Sequence, residues 1–264
     1  MKMEKKRLDV LLTERGLAES RAQAQRIVMA GQVRVNGEVV LKPALRFLPS
    51  VSLDVDKGPR YVSRGGEKLE AALIAFQLTK LENKVCADVG ASTGGFTDCL
   101  LQHGAAKVYA IDVGRGQLHW KLRNNPRVIL LEETNARHVK ALPQPVDFVT
   151  IDVSFISLRV LLPVIKDWFG AKGGEMVVLI KPQFEAGRDD AAKGEGVIRD
   201  PLVHRHVLLD VLSFARAQGF EVLGLIRSPL LGPKGNVEFL AHLRCPCERD
   251  SDEASLVEAI FLQS

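Results

Sequence analysis

A glycine-rich segment lies between a predicted strand and a predicted helix, and it reads Asp88-Val89-Gly90-Ala91-Ser92-Thr93-Gly94-Gly95-Phe96-Thr97. The apolar run over 84–89 predicts the strand, and the pattern over 96–103 predicts the helix. Glycines at such a turn let the backbone approach a bound ligand closely. The segment lacks the Gly-x-Gly-x-x-Gly spacing of dinucleotide-binding proteins, and no Gly-Lys-Ser/Thr follows to hold phosphates. It therefore predicts a ligand site at the carboxyl end of a strand in an open α/β sheet.

Further apolar strands and helices alternate along the rest of the chain. Each predicted strand is an apolar run without polar alternation, as expected where helices cover both faces of a parallel sheet. The last two strands have a short connection, which predicts an antiparallel hairpin at one edge. The pattern predicts an α/β domain with a Rossmann-like, seven-stranded, mostly parallel sheet, with strands over 84–89, 107–111, 128–131, 148–151, 176–180, 221–226 and 237–243 and helices over 67–77, 96–103, 158–169 and 202–217.

Polar residues follow the next three strands. Asp112 lies roughly 20 residues after the glycines of this segment, where a carboxylate can accept hydrogen bonds from ribose hydroxyls. Asn135 could contact adenine through its amide, and Asp152 ends the fourth strand. An ordinary strand-turn-helix junction explains any one of these positions, but the ordered set resembles the successive motifs of Rossmann-like S-adenosylmethionine methyltransferases. The resemblance implies an S-adenosylmethionine site made of Asp88, Gly90, Ala91, Ser92, Thr93, Gly94, Gly95, Phe96, Asp112, Val113, Asn135, Ala136 and Asp152.

The first fifth of the chain has a different pattern. Apolar residues at helical spacing predict a helix over 8–15, and Ser20 is an N-cap for a second helix that ends at Gly31. Asn36-Gly37 between two β-branched runs predicts a hairpin. Residues 1–57 hold 11 Lys/Arg and 7 Asp/Glu, whereas the remaining residues hold 25 of each, so the whole excess of positive charge lies here. This charge indicates contact with nucleic acid, although solvated surface charge also explains it.

Several short motifs of this segment resemble the S4 RNA-binding domain, a small α+β module. The matching residues are Arg7-Leu8-Asp9, Ser20-Arg21, Ala24, Ile27, Gly31-Gln32-Val33, Val35-Asn36-Gly37 and Lys42-Pro43. The resemblance implies that basic residues around the second helix face RNA, namely Arg7, Arg21, Arg26 and Arg34, while an ordinary solvated charge is the alternative for each. We expect an S4-like domain over 1–57, a linker over 58–65, a methyltransferase domain over 66–245 and a C-terminal tail over 246–264.

Four polar residues that are distant in sequence are predicted to meet at the carboxyl edge of the sheet. Lys181 and Asp152 each follow a buried strand. Glu238 lies near the start of the last strand, which faces the same edge if that strand runs antiparallel, and Lys68 lies on the helix before the first strand of the sheet. A surface charge or a salt bridge would explain each residue by itself. In order, the four resemble the Lys-Asp-Lys-Glu tetrad of FtsJ-type ribose 2′-O-methyltransferases.

With the S4-like module in front, the chain up to about residue 243 is similar to the TlyA (haemolysin A-like) family of ribosomal RNA methyltransferases. The match is carried by the glycine-rich segment, by Ser63-Arg64-Gly65-Gly66-Glu67-Lys68-Leu69 and by Ile180-Lys181-Pro182-Gln183-Phe184-Glu185. The family implies methylation of the ribose 2′-hydroxyl of cytidine in ribosomal RNA, with S-adenosylmethionine as cofactor and ribosomal subunits as partners.

Lys181 is the candidate general base of that reaction, because the 2′-hydroxyl must lose its proton as it attacks. A lysine accepts a proton only as the neutral amine. Burial, the charge of Lys68 and the sulfonium of the cofactor all favour that form. Asp152 and Glu238 act in the opposite sense, so we expect them to orient the ammonium groups and the hydroxyl.

Other features limit the remaining classes of function. No apolar run approaches the roughly 20 residues needed to cross a bilayer, and the charged N-terminus does not resemble a signal peptide, so we expect a cytoplasmic protein without membrane contact. Nothing in the sequence fixes the oligomeric state, and a monomer is the expectation. Cys86 and Cys99 are predicted to be buried, and Cys245-Pro246-Cys247 has no second cluster nearby, so no metal site is expected. The glycine-rich stretch 182–201 predicts either a mobile loop over the substrate or a disordered excursion.

Three alternative functions compete with this interpretation. A nicotinamide-dependent dehydrogenase shares the architecture, but the glycine spacing does not suit it. A non-catalytic RNA-binding protein with a degenerate methyltransferase domain would have lost polar residues of the tetrad, and all four are present. A cytolysin, a function sometimes attached to the family's name, would need a membrane-spanning pattern or an export signal, and the sequence has neither.

Overall fold

The chain divides into two units. The computed structural model describes residues 4–56, 58–187, 196–249 and 252–262, and contacts between Cα atoms separate Met1–Arg60 from Tyr61–Ser264. Each unit has its own hydrophobic core. Residues 188–195, in the middle of the predicted mobile loop, lie outside the described residues.

The first unit is an α+β fold in which two helices share one core with a three-stranded sheet. The sheet has the strand order β3-β2-β5, and β1 pairs antiparallel with β4. The fold class predicted for this part of the chain is confirmed. Its elements are β1 Lys6–Arg7, α1 Leu8–Glu14, α2 Arg21–Met29, β2 Val33–Val35, β3 Glu38–Val39, β4 Arg46–Phe47 and β5 Leu53–Val55.

Local sequence explains the second helix and the hairpin of this unit. Ser20 is extended, and its side chain accepts a hydrogen bond from Gln23 N at 3.2 Å, which caps α2. Asn36 and Gly37 have φ of +52° and +89°, the left-handed pair that a tight hairpin turn requires. The predictions of the two helices and of the hairpin are confirmed.

The second unit is built on a seven-stranded sheet with the order β11-β12-β10-β9-β6-β7-β8. Five consecutive strands of the sheet, β10, β9, β6, β7 and β8, are parallel to one another. Strand β12 runs antiparallel to both of its neighbours, β10 and β11. The predicted seven-stranded, mostly parallel sheet and its antiparallel hairpin at one edge are confirmed. Its strands are β6 Val85–Val89, β7 Lys107–Ile111, β8 Val128–Leu131, β9 Phe148–Ile151, β10 Gly174–Ile180, β11 Glu221–Arg227 and β12 Phe239–Cys245.

Helices cover both faces of this sheet. Along β10, Met176, Val178 and Ile180 contribute to one core, whereas Val177 and Leu179 contribute to the other, as the two-residue period of a strand requires. Helices α6 and α8 pack on the first face and α3 and α4 on the second. The helices are α3 Gly65–Ala75, α4 Gly95–Gln102, α5 Trp120–Arg123, α6 Leu158–Lys166, α7 Pro182–Glu185, α8 Pro201–Ala217 and α9 Glu253–Leu262.

Two segments differ from the expectation. The predicted loop over 182–201 begins with the helical turn α7, in which Pro182 occupies the first turn, where a missing N–H costs nothing. The expected tail contains α9, which packs on α8 and β11 with Val257 fully buried. The local sequence pattern alone does not predict this helix. Cys86 and Cys99 are buried, as predicted, and no helix in the described part of the chain is long and apolar enough to cross a membrane.

The antiparallel last strand determines where the site forms. Ile180 at the end of β10 is paired with Phe239 at the start of β12. The residue after β10 and the residue before β12 therefore emerge at the same edge, next to the carboxyl ends of β6 and β9.

Candidate active site

The glycine-rich segment turns sharply between β6 and α4. Gly90 has φ of +83°, and a Cβ atom at this position would collide with the carbonyl oxygen of Asp152. A Cβ at Gly95 would collide with Ser63 Oγ and would lie 2.8 Å from Gly66 N. These two glycines therefore allow the turn to approach both the end of β9 and the start of α3.

Asp88 supports this turn from the interior. Its carboxylate is fully buried and accepts hydrogen bonds from Thr97 Oγ1 at 2.6 Å and Thr150 Oγ1 at 2.9 Å. Burial raises the pKa of Asp88 to about 6, although both threonine hydrogen bonds act to lower it. Asp88 thus joins β6, β9 and α4 beneath the turn.

Two cavities adjoin the turn. The smaller has a volume of about 280 Å³ and the larger about 600 Å³, and Gly90, Ser92 and Asp152 line both. All residues of the expected cofactor set except Asp88 and Gly94 line one or both of them. The smaller cavity is lined by Ala91, Thr93, Gly95 and Phe96, and the larger by Asp112, Val113, Asn135 and Ala136.

The larger cavity has the donor and acceptor groups that a nucleoside requires. Asp112 accepts a hydrogen bond from Ser92 N on Oδ2 and one from Gly114 N on Oδ1, each at 2.7 Å. A carboxylate offers about four acceptor positions, so two backbone bonds fix its orientation and still leave room for ribose hydroxyls. Asn135 lies on the wall of the same cavity. These residues fit the adenosine part of S-adenosylmethionine.

The four residues of the predicted tetrad form two ion pairs. Lys181 Nζ lies 2.6 Å from Asp152 Oδ1, and Lys68 Nζ lies 2.5 Å from Glu238 Oε2. The two lysine side chains are each 11% exposed, and the side chain of Glu238 is completely buried. Because Lys68 and Asp152 line the same small cavity, the two pairs lie at one site.

Glu238 lies immediately before β12, and the loop between β11 and β12 encloses it. A Cβ atom at Gly232 would lie 2.5 Å from Glu238 Oε1, so the loop passes directly against the carboxylate. Oε1 is buried and has no hydrogen-bond partner among the described residues. Lys68 is thus the group that compensates the charge of Glu238.

Sequence reasoning missed several residues of the cavity walls. Ser63, Arg64 and Gly65 at the start of α3 line the smaller cavity, and so do Leu231 and Pro233 of the β11–β12 loop. The run Ser63 to Gly66 ahead of Lys68 was a usable signal, because two adjacent glycines at a helix start indicate a close approach. Nothing local in sequence distinguishes the β11–β12 loop.

An aromatic pair also adjoins the site. Phe155 lines the larger cavity, is 91% exposed and has φ of +65°, a conformation that a bulky side chain rarely adopts. Its ring centroid lies 4.9 Å from that of Phe184, and Lys181 Nζ lies 6.0 Å from the Phe184 centroid. The larger cavity therefore opens beside an exposed aromatic face.

In the first unit, a buried acid organises two of the four expected RNA-binding arginines. Asp9 accepts hydrogen bonds from Arg7 Nε at 3.0 Å, Arg7 Nη2 at 2.9 Å and Arg21 Nε at 3.1 Å. The Arg7 side chain holds the pKa of Asp9 well below its usual range. Arg26 and Arg34 are exposed, and Arg34 donates to Gly37 O at 3.2 Å.

Comparison with known proteins identifies the family. The FtsJ-like methyltransferase family matches residues 61–245, and the S4 domain matches residues 6–51. Hemolysin A of Brachyspira hyodysenteriae is 45% identical over 240 residues, which cover 89% of this chain and 98% of that protein. The 16S/23S rRNA (cytidine-2′-O)-methyltransferase TlyA of Mycobacterium tuberculosis is 43% identical over 258 residues, which cover 96% of this chain and 95% of that enzyme.

A solved structure agrees with these matches. The structure of a candidate hemolysin from Streptococcus thermophilus superposes on this chain with a TM-score of 0.74 and is 45% identical to it in sequence. The superposition covers 99% of this chain and 96% of that chain. Since the methyltransferase match spans well over half of the chain and the relatives match almost all of it, the chain belongs to the TlyA family of FtsJ-like, S-adenosylmethionine-dependent methyltransferases with an N-terminal S4 domain.

Proposed function

We propose that this protein methylates the ribose 2′-hydroxyl of a cytidine in ribosomal RNA, with Lys181 as the general base. One observation carries the proposal: Asp152, which lines both cavities, holds Lys181 Nζ at 2.6 Å. The amine therefore lies beside the place where a methyl donor and a ribose would meet. The printed name of the Mycobacterium tuberculosis relative, a cytidine-2′-O-methyltransferase of 16S and 23S rRNA, supports the choice of substrate.

The chemistry requires a proton acceptor in this position. A ribose hydroxyl is a poor nucleophile and must lose its proton during attack. S-adenosylmethionine, when bound, supplies a methyl group on a positively charged sulfur. Lys181 in its neutral form takes the proton of the 2′-hydroxyl, and Asp152 holds the nitrogen while it does so. Asp112 accepts hydrogen bonds from the ribose of the cofactor, and the turn at Gly90 lets the cofactor approach the backbone closely.

The second ion pair has a supporting role in this proposal. Lys68 places a positive charge on the wall of the smaller cavity. The buried carboxylate of Glu238 fixes the position of that ammonium group through the ion pair. The exposed ring of Phe155 offers an aromatic face to a nucleobase next to the same cavity.

The test of the substrate is a map of methylated riboses in ribosomal RNA. Cells that lack the protein are expected to lose 2′-O-methylation at one or more cytidines, and the wild-type gene should restore it. A gene that carries Lys181→Ala serves as the control and should not restore it. A map that is identical with and without the protein, or a lost mark on a base or on another nucleotide, would contradict the proposal.

We further propose that Arg7, Arg21, Arg26 and Arg34 contact RNA phosphates. The double variant Arg26→Gln/Arg34→Gln leaves the ion pairs of the buried Asp9 intact. It should bind ribosomal RNA more weakly, and the slope of log Kd against log salt concentration should fall by about 1.5, because each lost phosphate contact removes about 0.7–0.9. Affinity for S-adenosylmethionine serves as the control and should not change. An unaltered salt slope would exclude these two side chains from the RNA interface.

A further inference from the structure

The amine of Lys181 is held by two oxygen atoms on the loop that follows β9. Among the residues that the structure describes, Nζ lies 2.6 Å from Asp152 Oδ1 and donates a hydrogen bond to Ser154 Oγ at 3.2 Å. Lys181 itself follows β10, the neighbouring strand. In the proposed function, Asp152 holds the Lys181 nitrogen, whereas Ser154 has no assigned role.

The number of N–H groups on the lysine nitrogen determines how a second hydrogen-bond acceptor affects the direction of the lone pair. An ammonium has three N–H groups, whereas a neutral amine has two N–H groups and one lone pair in a tetrahedral arrangement. When the neutral amine donates to both Asp152 and Ser154, the lone pair is the one position left. Since the four positions are tetrahedral, the two acceptors determine where the lone pair points. With Asp152 alone, the second N–H and the lone pair could exchange places on the nitrogen, so the lone pair would have two possible directions.

The loop that carries Ser154 is attached at both ends. At its start, Asp152 N donates to Val89 O at 2.9 Å. At its end, the carboxylate of Glu185 accepts from Ser157 Oγ at 2.6 Å and from Leu158 N at 2.8 Å. Glu185 belongs to α7, which directly follows Lys181. The segments that carry Ser154 and Lys181 are therefore tied to each other, and the position of the serine hydroxyl relative to the amine is set by the backbone.

We propose that Ser154 is a positioning residue for methyl transfer, which with Asp152 directs the lone pair of the Lys181 amine at the 2′-hydroxyl. The inference rests on the proposed function. As the bond from the 2′-oxygen to the methyl carbon forms and the bond from that carbon to sulfur breaks, the electron pair of the broken bond stays on sulfur. The hydroxyl proton passes to Lys181 Nζ, which becomes an ammonium with three N–H groups. Two of them remain on Asp152 and Ser154.

The test separates positioning from binding and from folding. Ser154→Ala should lower kcat about tenfold, the effect of losing one orienting hydrogen bond, and should leave KM for S-adenosylmethionine and for RNA unchanged. Ser154→Thr keeps the hydroxyl at an exposed position and should restore kcat. Ser255→Ala is the matched control. Ser255 is exposed and donates a hydrogen bond to Asp252 Oδ2 at 2.6 Å, and neither residue lines either cavity. Thermal unfolding of each variant shows whether the fold is intact.

A double variant distinguishes failure of this inference from failure of the proposed base. If Ser154 acts through Lys181, adding Ser154→Ala to Lys181→Ala should cause no further loss in single-turnover rate. A further tenfold loss in that background, a wild-type kcat for Ser154→Ala, or a Thr variant as slow as the Ala variant would each overturn the role of Ser154 alone. A fully active Lys181→Ala enzyme would overturn both the base and the inference that depends on it.

Discussion

Lys181→Arg is expected to lower kcat by a factor of about 10²–10⁴, the range that general-base catalysis supplies. The guanidinium keeps the positive charge and can pair with Asp152, but it is not deprotonated in proteins and so cannot accept the hydroxyl proton. Binding of S-adenosylmethionine and of RNA should change little. The measurement is the single-turnover rate at saturating concentrations of both substrates, together with binding constants for each.

The arginine variant is more informative than an alanine variant at this position. If Lys181 acted only as a positive charge that orients the hydroxyl, arginine would preserve much of the activity. Lys166→Arg is a suitable control, since this exposed lysine of α6 bonds only the carbonyl oxygen of Gln218 among the described residues and lies outside both cavities. Turnover of Lys181→Arg close to that of the control would assign Lys181 an electrostatic role and remove it as the base.

Lys68→Met is expected to lower the free energy of unfolding by about 3–5 kcal/mol, the cost of leaving a buried charge without its partner. The side chain of Glu238 has no solvent exposure, and Oε1 already lacks a partner in the described structure, so the carboxylate would retain little compensation. The neutral double variant Lys68→Met/Glu238→Gln should recover most of that stability. It should nevertheless stay inactive, because the positive charge beside the cavity is gone.

Chemical unfolding of the two variants and a turnover assay of the double variant test this prediction. Lys84→Met is the control, because Lys84 and Glu175 are 3.9 Å apart and partly exposed, and pairs of that kind contribute at most about 1 kcal/mol. A loss for Lys68→Met no larger than for the control would indicate that solvent reaches Glu238. Full activity in the stable double variant would exclude the second ion pair from catalysis.

Strong local patterns explain why most elements could be predicted from the sequence. Buried strands such as Phe148–Ile151 are continuous apolar runs, and both of their faces are covered by helices. The glycine-rich turn was recognisable because its backbone geometry excludes Cβ atoms at Gly90 and Gly95. The helix Glu253–Leu262 was missed because its partners, α8 and β11, are distant in sequence and their contact determines whether it is ordered.

The site was predictable in part, for a related reason. Strand ends can be read from hydrophobicity, so Asp112, Asp152 and Lys181 could be assigned to one edge of the sheet. Hydrophobicity does not indicate which of these side chains form ion pairs or hydrogen bonds with one another. That Lys68 bonds Glu238 rather than Asp152, that Ser154 approaches the Lys181 amine, and that Phe155 stays exposed all depend on how loops from different strands approach one another.

The amino-acid sequence by itself determined the order of strands and helices, the position of the glycine turn, the basic character of the first 57 residues and the polar residues available at the strand ends. These properties are local, because they follow from periodicity, backbone sterics and the count of charges. Only the tertiary structure decided the two ion pairs, the burial of Glu238 and the second acceptor at Lys181. Hydrogen bonds and desolvation act over a few ångströms, and residues 68, 152, 181 and 238 come within that range only after the sheet has formed with its last strand antiparallel.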